Sequence, residues 1–469
     1  MPKRTSRRGA VALAVGAVAL VATACTSGGA PAAKGSSSQG GSSAGSHGAA
    51  SGGTTTSTAA GASSAALQCP AGTGTGAPGV TSSSIKIAAI STRTGPISAD
   101  FNGLVPGLEA YFKTVDAKGG VNGRKITLAY DLDTAGLSTQ FETATHTAID
   151  QDHAFAVAVS SFWFSPTYFV STCTPTYGYN INGNWTKAPN LFGATGSTQT
   201  YDTIDPAVAY LLDKSKAKSI GVLAYSVSTS NAVCKAAIKR LEGAGYDVAF
   251  TDLQLPPVNA NVTPDVQRMQ QAGVDFVLSC MTVTGNVSLA RAVQQYGLHV
   301  KQLWFDGADQ AVVSKYHSLL QGVYFNVQHV PVAAAKQNPE NYPGSVAYLQ
   351  AMKKYEPNFV GSELAVQGWE SAALMVAGIK AAGKDLTQAA VVAATNHLVN
   401  FTAGGLIQPV SWATAHTTVS PVSCSAFEQV KGTSVVPALA KGKQVFLCFT
   451  TSRMRHPSPV PPPPGTPGT

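Results

Sequence analysis

Between Ile85 and Asp133 the spacing of apolar residues changes period twice. Ile85, Ile87 and Ala89 recur at every second position, with Lys86 and Ala88 between them, which is the period of a strand. Leu104, Leu108, Tyr111, Phe112 and Val115 then follow at helical spacing until Gly119 and Gly120 stop the run. Ile126, Leu128 and Tyr130 restore the two-residue period. The stretch predicts one βαβ unit, whose crossover requires the two strands to lie parallel. A second series starts at Ser219 to Tyr225. Helix 231–244 follows, with Val233, Ala237, Ile238 and Leu241 on one face, then strand 247–253, helix 264–272, strand 275–279, helix 287–296 and strand 302–305. Two such series in one chain predict an α/β protein with two Rossmann-like lobes, each built on a parallel central sheet. Ligands of such sheets are received by the loops leaving the carboxyl ends of the strands.

The ends of the chain read differently. Lys3, Arg4, Arg7 and Arg8 precede an apolar run from Ala10 to Ala24, and Cys25 follows. Residues 1–24 have the form of a secretory signal, with an apolar run shorter than the roughly 20 residues a membrane-spanning helix needs. Ala22-Thr23-Ala24-Cys25 resembles a bacterial lipobox, in which the cysteine is diacylated and becomes the mature amino terminus. Residues 25–79 are Ser, Gly, Ala and Thr with few large apolar side chains, so they are expected to be a disordered, lipid-anchored tether with a reach of roughly 40 Å. Residues 451–469 are expected to be a disordered, extended and solvated Pro-rich tail.

Composition narrows the function. The formal charge is +8, but four basic residues lie in the signal and two in the tail, so 32 − 6 = 26 basic residues face 24 acidic ones. A remainder near neutrality gives no case for nucleic acid. No Gly-x-Ser-x-Gly or dinucleotide fingerprint falls at a predicted strand-to-helix turn, no Walker loop or metal motif occurs, and the nine His lack zinc-like spacing. Neither catalytic residues, a cofactor nor a metal is therefore expected. Of the seven Cys, assigning Cys25 to lipidation leaves six, an even number suited to an oxidising compartment. Among the possible pairings, Cys69 with Cys173, Cys234 with Cys280 and Cys424 with Cys448 are favoured because each closes within one lobe. The last would bracket a terminal hairpin and contribute roughly 3 to 4 kcal/mol.

The run from the first strand through Thr94-Gly95-Pro96 to Gly119-Gly120-Val121-Asn122-Gly123-Arg124-Lys125-Ile126 resembles the amino-terminal pattern of extracytoplasmic solute-binding proteins of ABC transporters, of the branched-chain amino acid (Leu/Ile/Val) binding type. The likeness extends with more generic α/β sequence to about Phe449. It implies a type I periplasmic-binding-protein architecture in which the chain crosses between lobes three times: near Gly193 to Thr203, near Gln321 to Val332, and just after helix 363–382. The lobes would be residues 80–200 with 327–383, and 201–326 with 384–450. The partners implied are a small molecule such as an amino acid or amide, held between the lobes, an ABC transporter permease, and the membrane through the anchor, with the protein a monomer on the outer face. The same module could serve a signalling sensor, or persist as a surface protein without a transported ligand.

Strand-end loops carry the expected ligand contacts. The family position that is often aromatic falls at Asp100 or Phe101. The loop after strand 154–159 offers Ser160, Ser161, Trp163 and Ser165, where Phe162-Trp163-Phe164 departs from the family's small hydroxyl residues; Trp163 can stack on a ligand or pack in the core. Asn182, in the Asn-rich loop 180–185, offers an amide. From the second lobe come Tyr225, Thr282 and Asp306, the last as partner for a ligand ammonium or, like Asp309, as a helix cap.

Overall fold

Alternate residues of the first strand enter opposite layers. The computed structural model describes residues 68–180, 182–196, 205–305 and 309–469. In β1 (Ser84–Ser91), Ile85, Ile87 and Ala89 face one core and Ala88 and Ile90 the other. That two-sided burial is what a parallel strand between helical layers requires. β2 (Lys125–Asp133), β3 (Ala156–Ser160), β4 (Thr176–Gly178) and β5 (Leu191–Gly193) complete a parallel sheet of order β2-β1-β3-β4-β5. On one face it is packed by helices Leu104–Asp116 and Glu363–Ala382. These two approach until a side chain on Gly107 would strike the Ala365 carbonyl, and one on Gly368 the Leu104 carbonyl.

The second sheet contains β6 (Ile220–Tyr225), β7 (Val248–Leu255), β8 (Phe276–Cys280), β9 (Lys301–Trp304), β10 (Tyr324–Val327), β11 (Val422–Lys431) and β12 (Ser434–Ala438), in the order β12-β11-β10-β9-β8-β6-β7. β11 runs antiparallel to both of its neighbours in that order, and β13 (Leu447–Thr450) also pairs with it, bringing Cys424 opposite Cys448. Disulfides join Cys69 to Cys173, Cys234 to Cys280, and Cys424 to Cys448. Among the described residues no helix is long and apolar enough to cross a membrane.

Three expectations about boundaries need correction. The tether expected to reach residue 79 ends earlier. Cys69 is tied to Cys173, and the carbonyls of Gly74 and Gly76 accept hydrogen bonds from the N–H groups of Ala389 and Gln388, which helix Gln388–Asn396 leaves unpaired in its first turn. The chain does not cross to the second lobe just after Ala382. Gly383, at φ +86°, turns it back, and Leu386, Val391, Val392, Ile407 and Trp412 join the core of the first sheet. The crossing falls between His416 and β11, so residues 384–415 pack with the first lobe. The tail is not solvated throughout, because Met454 and Thr466 are buried and Val460 donates to the Cys448 carbonyl. Val460 lies between Pro459 and Pro461, and supplies the N–H that proline lacks.

Candidate functional site

Both sheets reverse their winding beside the first strand of each series, between β1 and β3 and between β6 and β8, and a cavity of about 240 Å³ opens at those carboxyl ends. The first lobe supplies Asp100 and Phe101 after β1, Phe162 after β3, Tyr179 and Asn180 after β4, and Thr195 after β5. The second supplies Tyr225 at the end of β6, Ser230, Cys280 to Val283 after β8, and Phe305 after β9. Gln328 and His329, in the crossing after β10, Glu363, Gln367 and Glu370, on helix Glu363–Ala382, and the carboxylates of Asp205 and Asp309 also line it.

The aromatic wall is built by edge contacts. Phe101 lies 6.2 Å from Phe162 at 82°, and 6.3 Å from Tyr179. Across the cavity, Tyr225 and Thr282 share a hydroxyl hydrogen bond of 2.7 Å, and Ser230 accepts the Tyr225 N–H at 2.8 Å. One bond spans the two walls: Val283, first residue of helix Val283–Gln295, donates its N–H to Asp100 Oδ1 at 2.6 Å. A carboxylate at a helix amino terminus satisfies an orphan donor and opposes the positive end of the helix dipole.

The floor is acidic and buried. Glu363, Gln367 and Glu370 fall at i, i+4 and i+7, so they form one polar stripe on a helix that is otherwise largely apolar. Glu370 is 1% exposed. Burial pushes the Asp100 carboxyl up to about 7, against the Val283 N–H, and the nearby Asp309 carboxylate adds to the rise. Burial likewise pushes Glu363 up to about 7, and holds Glu370 well above the ordinary carboxylate range with Glu363 adding to it. His329 is lowered to about 4 by burial, although its Nδ1 meets the Val330 carbonyl at 3.0 Å. Asp100 Oδ2, Glu363 Oε2, Glu370 Oε1 and His329 Nε2 have no hydrogen-bond partner among the described residues. No Lys or Arg occurs among the described residues that line the cavity. Among the described residues no group of three His, Cys, Asp or Glu could hold a metal ion.

Of the residues expected from sequence, the structure brings Phe101, Tyr225 and Thr282 to the cavity. The other described ones lie elsewhere. Ser160 is buried at the end of β3, and Ser161 lies beneath the lining, 3.4 Å from both Thr92 and Thr134. Ser165 lies outside the lining. Asn182 is a cap whose side chain accepts the Asn184 N–H at 3.0 Å. Trp163 belongs neither to the cavity nor to the core: it is 41% exposed, with its indole N–H on the Gly136 carbonyl at 3.0 Å. The aromatic run splits three ways, since Phe162 lines the cavity while Phe164 stacks on buried Trp185 at 4.3 Å. Asp306 lies outside the described residues, and Cys25 does too; Asp309 caps helix Gln310–Tyr316 through the N–H groups of Ala311 and Val312. Glu363 and Glu370 were not singled out from sequence, although their polar stripe in an apolar helix was there to be read.

Residues 84–434 match the sequence model of the periplasmic binding protein family, and the chain belongs to that family. Its members bind small molecules outside the cytoplasm and work with ABC transporter permeases; it is a family of binding proteins rather than enzymes. The fold is the type I fold of that class. A fatty acid ABC transporter substrate-binding protein from Thermomonospora curvata is 18% identical, with a TM-score of 0.66 over 80% of this chain and 94% of that one. A branched-chain amino acid ABC transporter protein from Thermus thermophilus with bound valine is 16% identical, with a TM-score of 0.63 over 76% and 96%. A solute-binding protein from R. palustris in complex with benzoate is 16% identical, with a TM-score of 0.60 over 76% and 95%. Comparison with curated protein sequences finds no match.

Proposed function

We propose that this chain is a lipid-anchored solute-binding protein that captures a small molecule in the cavity between its lobes and delivers it to an ABC importer. The observation that carries this reading is the cavity itself, lined by strand-end residues of both sheets and by two of the crossings between them. A ligand placed there touches both lobes at once, so its contacts differ between an open and a closed form, and that difference is what can drive closure. Thermal melting of the mature chain against amino acids, amides, amines and aromatic acids is expected to reveal at least one solute that raises the melting temperature in a concentration-dependent way. A folded protein stabilised by none of them would count against solute capture.

The anchor has its own test. Two acyl chains hold a protein to a membrane where one binds only marginally, which suits a diacylated Cys25. Cys25→Ala is expected to move the protein from the membrane fraction to the soluble one, and continued sedimentation with membranes would exclude lipidation there.

A further inference from the structure

We propose that the cavity takes an organic cation, with an amine, quaternary ammonium or guanidinium head and an apolar or aromatic body, in preference to a free acid or an amino acid. This deepens the solute-binding reading and rests on it. The head would face Glu370, which is 1% exposed, and Glu363, two turns back along the same helix stripe, each with a carboxyl oxygen lacking a partner among the described residues. Asp100 Oδ2 and His329 Nε2 are also unpartnered at the lining. The Nδ1 of His329 is engaged by the Val330 carbonyl, so its Nε2 in the neutral ring is an acceptor. With the acids ionised, all four atoms are acceptors in a negative setting, so a complementary ligand brings positive charge, and an amine or guanidinium head can also donate hydrogen bonds. Phe101, Phe162, Tyr179 and Tyr225 supply the faces against which a cation's body and charge both rest well.

An acid meets the opposite conditions. The described lining holds no Lys or Arg. The helix amino terminus at Val283, which would otherwise receive an anion, is already occupied by the Asp100 carboxyl at 2.6 Å. Like charge facing like charge in a buried site is costly.

Ligand charge and solution pH are therefore linked. The carboxyls of Asp100, Glu363 and Glu370 are raised mainly by burial, and an arriving cation would favour their ionised forms and expel protons. Other titratable groups facing them are Asp309 from the second lobe, His329 and Asp205 from the crossings, Glu428 from β11 and Tyr348 from helix Pro343–Tyr355.

The test is calorimetric titration of the full mature chain with phenethylamine, benzyltrimethylammonium and agmatine, against phenylacetate, phenylalanine and 2-phenylethanol. At least one cation is expected to bind ten-fold or more tightly than phenylacetate and phenylalanine. It should release protons, read as a buffer-dependent heat in phosphate and Tris, and should bind several-fold more tightly at pH 7.5 than at pH 5.5. Glu370→Gln and Glu363→Gln should each weaken that cation about ten-fold while sparing the melting temperature. Tighter binding of phenylacetate or phenylalanine than of every cation would overturn the cation class and leave solute capture standing. Cation binding indifferent to both variants would overturn the placement. Silence from all six probes and from the broader solute panel would overturn both readings.

Discussion

Raising the pH from 6.5 to 8 is expected to lower the melting temperature of the ligand-free protein by several degrees. Glu428, in β11, is pushed up by burial to about 8, with Glu363 adding to the rise, against an ordinary value of 4.5. A carboxyl whose folded pKa is raised gives stability that is whole below its unfolded pKa and is lost as pH climbs through the folded one. Glu363 and Asp100, both raised to about 7, lose theirs in overlapping ranges, and Glu370 is shifted in the same direction. Two histidines act oppositely. Burial lowers His329 and His416 to about 4 from 6.5, so they favour the fold increasingly as pH rises between those values. The two sets partly cancel up to about pH 7, and above that the acids dominate the change. For Glu428 alone the loss between pH 6.5 and 8 is about 2 kcal/mol at one pKa unit per ~1.4 kcal/mol, enough to move a melting temperature by several degrees. Calorimetric scans at pH 5, 6.5 and 8 measure this. Glu428→Gln should flatten the upper limb, and a melting temperature that instead rose to pH 8 would mean that these carboxyls are ionised in the fold.

Trp185→Ala is expected to cost about 4 kcal/mol of stability while leaving solute affinity unchanged. Trp185 is fully buried and stacks on Phe164 at 4.3 Å and 14°. Phe164 in turn meets Phe141 at 5.9 Å and Phe169 at 6.0 Å, so the indole closes a cluster of four rings beneath the loops that follow β3 and β4. Helices Ser138–His146 and Thr167–Thr172 hold two of those rings in place, which limits how far the site can collapse into the void. Urea unfolding of the variant measures the effect. A loss below about 1 kcal/mol would mean that the loop tolerates the space. The unchanged affinity follows from its absence from the cavity lining.

The amino-terminal βαβ unit was legible because β1 is buried on both faces and the helix after it on one, leaving the two apolar periods unmixed in Ile85 to Val115. Helix Val283–Gln295 starts four residues before the predicted one, at a turn where Thr282 is the cap and the Asp100 carboxyl accepts the Val283 N–H. Asp100 itself stood beside Phe101 as an alternative for one position, and both reach the cavity. The loop 160–165 gave little, since an irregular segment has no period to say which of three neighbouring aromatics turns inward. Glu363 and Glu370 lay far along the chain from any strand-end loop, and only the return of their helix to the first sheet carries them to the floor. Gly383 looked like the end of a lobe and proved to be a reversal within it.

The Cys69–Cys173 bond has a mechanical side. Cys173 ends a helix and lies three residues before β4 begins, at the pole of the first sheet away from the cavity. Traction on the chain ahead of Cys69 is therefore delivered covalently to one lobe, at its far end, and not across the crossings on which closure would turn. The second lobe stays unloaded. Whatever pulls on the amino-terminal segment can reorient the whole body without prying the two walls apart.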